Sequence, residues 1–203
     1  MTKYARMYRL GITPWERYGT AAASTIARLL DREEQERSLP LGRALDLGCG
    51  RGQYTPELSR RGWQAVGIDN VPAAIEEATR RDTRGAAYLV RDVTELSKAD
   101  LGTFDFFLDV GCFQGLDARQ RHGEVRGVTA LATPGATLLM LAFGPTWMRS
   151  LVEGVSQDEV ESAFREWEVL TVEPADTRGL GWPMNRTRPH WYRLRHRAWG
   201  NGS

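Results

Sequence analysis

Three glycines and two acids, set at the ends of short apolar runs, are the residues whose types and spacing most directly suggest chemistry. In ALDLGCGRGQYT an apolar run feeds straight into Gly48-x-Gly50-x-Gly52, and a helical pattern follows. Glycines so spaced let a backbone turn tightly and admit a ligand where a Cβ would intrude. The helix behind them presents unpaired N–H groups to the same space. Asp69 closes the second apolar run, at the distance expected of a carboxylate that accepts both hydroxyls of a ribose. Asp92 stands just past the third run, in Val90-Arg91-Asp92-Val93, where a carboxylate can accept from an adenine amino group. The three features converge on one adenosine-bearing ligand. Dinucleotide-binding loops favour G-x-G-x-x-G, whereas here the third glycine falls one position earlier and Gln53 fills the expected place, which weakens a nicotinamide reading. Each residue also has a plainer reading: glycine turns followed by an acid are structural in many α/β domains, Asp92 can cap a turn, and Asp109 can satisfy backbone amides at a strand end.

The elements that must position these residues follow from hydrophobic periodicity. A long helix is expected over residues 14–37, with Ala22, Ile26, Leu29 and Leu30 at helical spacing, before Leu39-Pro40-Leu41-Gly42 breaks it. Short apolar runs at 44–47, 65–68, 86–90 and 104–110 then alternate with helices near 53–61, from Pro72, and near 117–131, and a run at 136–143 continues the series. Strands alternating with helices imply a parallel sheet with right-handed crossovers. After residue 143 the rhythm changes. The runs 167–172 and 190–198 have no helix-length segment between them, which suggests an antiparallel hairpin at one sheet edge. The connecting EPADTRGLGWPMNRTRP is long and rich in Gly, Pro, Arg and Trp, as a functional loop would be.

The loop Asp46-Leu47-Gly48-Cys49-Gly50-Arg51-Gly52, with Asp69 and Asp92 behind it, resembles the first three motifs of class I S-adenosylmethionine-dependent methyltransferases, in order over roughly residues 43–143. The resemblance implies a Rossmann-like α/β fold: a seven-stranded, mostly parallel sheet with a C-terminal antiparallel hairpin and helices on both faces. It implies S-adenosylmethionine as cofactor and S-adenosylhomocysteine as product. The Gly48, Cys49, Gly50 and Gly52 backbone would then lie against the methionine part, and Asp46 would orient the loop or meet the amino group through water. Asp69 would hold the ribose, Asn70 and Val71 would flank the adenine, and Asp92 with Val93 would contact its edge. Asp109 and Val110 match the family's fourth motif in position.

On the same implication the chain is one methyltransferase domain over residues 1–203: an N-terminal helical lid at 1–42, a cofactor core at 43–143, and acceptor-side loops with the terminal hairpin at 144–203. Ligands of open parallel sheets sit beyond the carboxyl ends of the strands, so the acceptor should meet the aromatic segments that emerge there. Phe113, Trp147 and Trp182 suit an apolar or planar acceptor and exclude water, although such side chains also serve as core. The stretch TPWERYG is similar to segments preceding the first motif in thiopurine-methylating enzymes, which adds Trp15 and Tyr18 as lid residues. Arg186, in a loop with Arg178 and Arg188, could pair with a carboxylate-bearing acceptor or simply be solvated. Methyl transfer needs alignment and desolvation, and a base only if the nucleophile arrives protonated. His190, opening the last strand, is the candidate base, with Tyr192 and Asp117 behind it.

Composition narrows the partners. Lys and Arg number 27 against 26 Asp and Glu, so no global field draws the chain to nucleic acid or anionic membrane. The fourth motif lacks the Asn/Asp-Pro-Pro-aromatic form of amino-methylating nucleic-acid enzymes. No signal-peptide pattern, transmembrane stretch, zinc spacing or magnesium-type acidic cluster is evident in the sequence. A cytoplasmic monomer or homodimer acting on a small molecule, without a metal, is the expectation. The rival classes are an NAD(P)-linked oxidoreductase and a non-catalytic cofactor-binding protein.

Overall fold

The computed structural model describes residues 14–98, 101–145, 154–178 and 186–197, the backbone alone at 14–21 and 97–98. In chain order the elements are α1 (Pro14–Gln35), β1 (Arg43–Leu47), α2 (Thr55–Arg61), β2 (Gln64–Asp69), α3 (Pro72–Arg81), β3 (Ala87–Val90), a 3-10 segment (Val93–Lys98), β4 (Phe104–Val110), a 3-10 turn (Phe113–Gly115), α4 (Ala118–Leu131), β5 (Ala132–Ala142), α5 (Gln157–Ala163), β6 (Trp167–Pro174) and β7 (His190–His196). The seven strands form one sheet in the order β3-β2-β1-β4-β5-β7-β6. Neighbouring strands are parallel from β3 through β5, and β7 runs against both β5 and β6. The order reverses direction between β1 and β4, the crevice where such sheets take ligands.

Side chains alternate cleanly between two hydrophobic clusters, as the period of two in a strand requires. Leu45, Phe107, Leu138, Met140, Tyr192 and Leu194 face one cluster, which α4 and α5 complete through Val128, Val160 and Phe164. Ala44, Phe106, Leu108, Leu139, Leu141 and Trp191 face the other, closed by Ala22, Ile26, Leu29 and Leu30 of α1 and Leu58 of α2. The 3-10 segment after β3 packs on α4 only because that helix carries two glycines there. A Cβ on Gly123 would lie 2.6 Å from the Thr94 carbonyl oxygen, and one on Gly127 would lie 2.6 Å from Leu96 Cβ.

The outer end of α1 is docked by ions rather than by apolar contact. Arg193 on β7 donates through Nε to Glu33 at 2.7 Å and through both terminal nitrogens to Glu36 at 2.9 and 2.7 Å. Arg37 adds a second guanidinium to Glu33 at 2.7 Å and also donates to the Thr137 hydroxyl at 2.6 Å. Both charges of the Glu33–Arg193 pair are almost wholly buried.

The terminal strands form the expected antiparallel hairpin, in which the last strand, β7, is reversed and β6 runs with the rest of the sheet. The stretch between β5 and β6 contains a short helix, α5, that the sequence did not announce; Ser156 and Glu159 close its first turn in a reciprocal capping box. No described helix is long and apolar enough to cross a membrane.

Candidate functional site

The backbone leaving β1 is held from two sides. The Cys49 N–H donates to the Ile68 carbonyl at 2.9 Å, and the Gly50 N–H donates to Asp69 Oδ2 at 3.0 Å. Gly48, at φ 66°, is a position that favours glycine, because a side chain would be strained there and its Cβ would crowd Cys112 Sγ at 3.1 Å and Cys112 Cβ at 3.2 Å. The glycine loop is therefore pressed directly on the turn that follows β4.

Three buried carboxylates stand at the ends of adjacent strands around this loop. Asp69 accepts from the N–H groups of Gly50 and Val71, at 3.0 and 2.9 Å, and burial raises its pKa above the ordinary value. Asp46 accepts from the Thr55 hydroxyl at 2.6 Å; burial, reinforced by Asp109 and Asp69, pushes it up to about 7. Asp109 accepts from the N–H groups of Cys112 and Phe113 at 2.7 and 2.9 Å, and burial pushes it up to about 6. None of these three has a salt bridge to Lys or Arg among the described residues. Negative groups that lack protein countercharge suit a cationic ligand.

The other expected cofactor contacts are distributed unevenly. Asn70 is exposed beside Asp69, and Val71, just after it, is buried at the entrance to α3. Asp92 is exposed, and its Oδ1 is occupied by the backbone N–H and hydroxyl of Thr94 at 2.9 and 2.8 Å, so this atom caps the turn into the 3-10 segment. Val93 is buried in the α4-side cluster, and Val110 packs partly against the other.

At the acceptor end the structure separates the expected residues. Because β7 is antiparallel, its first residue, His190, lies opposite Ala142, at the carboxyl end of the parallel strands. His190 is half-buried, and its Nδ1 lies 3.0 Å from the Arg188 carbonyl. A carbonyl only accepts, so the neutral ring carries its proton on Nδ1 and leaves Nε2 as the basic atom. Tyr192 points instead into the core, and Asp117 is occupied as the N-cap of α4, in a capping box with Gln120. Phe113 is fully buried against Phe164, with ring centroids 5.5 Å apart, so it is core rather than an acceptor wall. Arg186 is exposed. Trp15 and Tyr18 lie on the first turns of α1, but their side chains fall outside the described residues, as do Trp147 and Trp182 altogether.

Two residues that sequence reasoning missed organise this region. Arg121 donates to the carbonyls of Phe113, Gln114 and Gly154 at 3.2, 3.1 and 3.0 Å, tying the turn after β4 to the chain entering α5. Glu124 is wholly buried beside the buried Asp109. A signal was present: Glu124 occupies the slot at helical spacing with the buried Val128 and Leu131, where an apolar residue is the norm. Among the described residues no cluster of His, Cys, Asp and Glu is placed to hold a metal ion.

A family described as a methyltransferase domain matches residues 44–135. The 2-heptyl-1-hydroxyquinolin-4(1H)-one methyltransferase of Mycobacteroides abscessus is 30% identical over 142 residues, covering 66% of this chain and 62% of that protein. The ubiquinone biosynthesis O-methyltransferase of Xanthomonas campestris pv. campestris is 29% identical over 121 residues, covering 58% of this chain and 49% of its own. The chain thus spans 49% to 62% of the length of these curated relatives. Among solved structures, the magnesium protoporphyrin IX methyltransferase of Synechocystis PCC 6803, crystallised with bound SAM, superposes with a TM-score of 0.66 at 14% identity, over 98% of this chain and 86% of that one. It shares the fold.

Proposed function

The chain belongs to the class I S-adenosylmethionine-dependent methyltransferases, and from that premise we propose that it transfers a methyl group from S-adenosylmethionine to an oxygen, nitrogen or sulfur atom of a small acceptor. The observation that carries the reading is the glycine loop itself: a backbone cradle anchored on Asp69, closed by Cys112, and surrounded by carboxylates without countercharge. The cofactor's ammonium and sulfonium would supply that charge. In this reading Gly48 to Gly52 line the methionine part, Asp46 faces the ammonium, and Asp69 keeps lone pairs on both oxygens for the ribose hydroxyls. Asn70 and Val71 flank the adenine. Asp92 and Val93 approach its edge, Asp92 through the oxygen not engaged by Thr94.

When bound, the cofactor supplies a methyl carbon on a positively charged sulfur, displaced in line by the acceptor while the electrons of the C–S bond return to sulfur. The protein's part is alignment and exclusion of water. His190 Nε2 takes the acceptor's proton where the nucleophile arrives protonated, and a thiolate or carboxylate acceptor needs no base. Tyr192 and Asp117 support this end of the sheet through packing and capping. Arg186, Trp15, Tyr18, Trp147 and Trp182 would meet the acceptor. The relatives act, by name, on a hydroxyquinolinone and in ubiquinone biosynthesis, which supports a small, planar or apolar acceptor here. We further take the chain to work as one domain in the cytoplasm, as a monomer or homodimer.

Calorimetry on ligand-free protein is expected to register S-adenosylhomocysteine binding and no binding of NAD. NAD binding alone would overturn the reading in favour of an oxidoreductase. A panel of small acceptors assayed by mass spectrometry should yield a product heavier by one methylene, and its persistent absence beside tight cofactor binding would leave a non-catalytic binding protein.

A further inference from the structure

Glu124 sits on α4 with only 1% of its surface exposed, and its Oε2 has no hydrogen-bond partner. Its side-chain partner is Asp109, a second fully buried carboxyl group, and two such groups in a dry interior cannot both ionise at ordinary pH. The surroundings decide which one keeps the proton. Asp109 accepts backbone N–H groups from Cys112 and Phe113, which stabilise its anion, whereas the one positive charge facing Glu124 is Arg121, a turn earlier on its own helix. Glu124 is therefore the donor and Asp109 the acceptor. Burial and the Asp109 charge both hold Glu124 well above its ordinary carboxylate range.

We infer that Glu124 is a positioning residue for the cofactor cradle: its carboxyl hydroxyl, donating to Asp109, holds the turn containing Cys112 against Gly48. The inference rests on the proposed cofactor reading. The chain of contacts is continuous: Glu124 to Asp109, Asp109 to the Cys112 and Phe113 amides, and Cys112 Sγ to within 3.1 Å of where a Gly48 Cβ would stand. Arg121, from the same helix, grips the carbonyls of the turn while Glu124 acts on the residue that grips its amides. One helix face thereby fixes both polarities of the backbone that walls the cradle. A hydrophobic residue in this slot would pack α4 equally well and leave Asp109 without its donor.

The pH dependence follows from the raised value. Since Glu124 is held above its ordinary 4.5, the clamp is fully made below that pH and is lost as the pH rises through the folded value. The charged and titratable groups around the pair are Arg121 on α4, Asp46 on β1, Asp69 on β2, and, around Cys112, its thiol and Asp92. Asp46 acts in the opposite sense, because its ionisation favours a cationic ligand.

The test is S-adenosylhomocysteine binding by calorimetry from about pH 6 to about pH 9 on wild type, Glu124→Gln and Glu124→Leu, with folding checked by circular dichroism. Wild type should weaken on the alkaline side. Glu124→Gln, whose amide donates at every pH, should bind within about threefold of wild type at neutral pH and lose the alkaline limb. Glu124→Leu should bind about tenfold more weakly while still folded. In parallel, carboxyl carbon NMR should show one glutamate titrating far above the others in wild type and missing from Glu124→Gln. An unchanged alkaline limb in Glu124→Gln, wild-type affinity in Glu124→Leu, or ordinary titration of Glu124 would each overturn the inference. Absence of binding by wild type at every pH would instead overturn the cofactor reading beneath it, while the NMR titration would still judge the proton.

Discussion

The cofactor end of the sheet and the α1 face of the same sheet both bury carboxylates, yet they neutralise them by opposite means. Buried Glu33, with the exposed Glu36 beside it, is matched by the guanidinium groups of Arg37 and Arg193. Asp46, Asp69, Asp109 and Glu124 have backbone amides, a hydroxyl and a shared proton instead. A guanidinium keeps its charge across the whole working pH range, so the α1 network is a fixed structural tie. Carboxylates balanced by amides and protons remain responsive to an arriving cation. The difference separates charge that holds the fold from charge kept for a ligand.

Arg193→Ala should break the comparison most severely, since among the described residues it leaves buried Glu33 with only Arg37 and the Thr137 hydroxyl on one oxygen and nothing on the other. A loss of about 3 kcal/mol or more in folding stability is expected, read by urea denaturation, with S-adenosylhomocysteine affinity of the remaining folded protein unchanged. Asp69→Ala should do the reverse. Calorimetric affinity should fall about 100-fold or more, because the same carboxylate anchors Gly50 and, in the proposed reading, faces the ribose, while the melting temperature moves little. Equal stability losses in the two variants would erase the distinction.

Gly48→Ala sharpens the contrast at the loop, where positive φ and the Cys112 contact coincide. Binding should weaken by about 1 to 2 kcal/mol, whereas Gly85→Ala, also at positive φ but with open space around it, should cost stability alone. A pH series comes next. The neutral form of Asp46 adds stability that is complete below its ordinary 3.8 and disappears as the pH rises through about 7. Over that window S-adenosylmethionine should give a growing thermal shift, and Asp46→Asn should flatten it. Glu36, held below its ordinary range chiefly by its hydrogen bond to Arg193, behaves inversely, its contribution being lost as the pH falls. The smallest effect belongs to the exposed Arg60–Glu57 pair on α2: Arg60→Ala should leave both melting temperature and affinity unchanged within error.

Much of this was legible in the chain. The alternation of apolar runs and helices located β1 through β5, because burial on both faces of a parallel sheet writes continuous hydrophobic stretches. The glycine spacing and Asp69 were readable for a local reason, since a strand running into a tight turn imposes residue types within a few positions. Helix α5 was not readable in this way: seven residues with a capping box carry too little apolar periodicity to stand out. Asp117 and Asp109 show a different shortfall. Carboxylates at element ends look alike whether they serve a ligand or cap backbone, and only their partners tell them apart.

The sequence by itself determined the order of elements, the sheet type and the position of the glycine cradle, because these follow from periodicity and from backbone geometry over short spans. Tertiary structure alone decided which charges meet. Glu33 finds Arg193 across 160 positions, and α4 brings Glu124 over Asp109. Pairings of that kind are set by how helices pack on the sheet, and no local pattern encodes them. The direction of β6 was decided in the same way, by where the chain returns to the sheet edge rather than by any property of the strand.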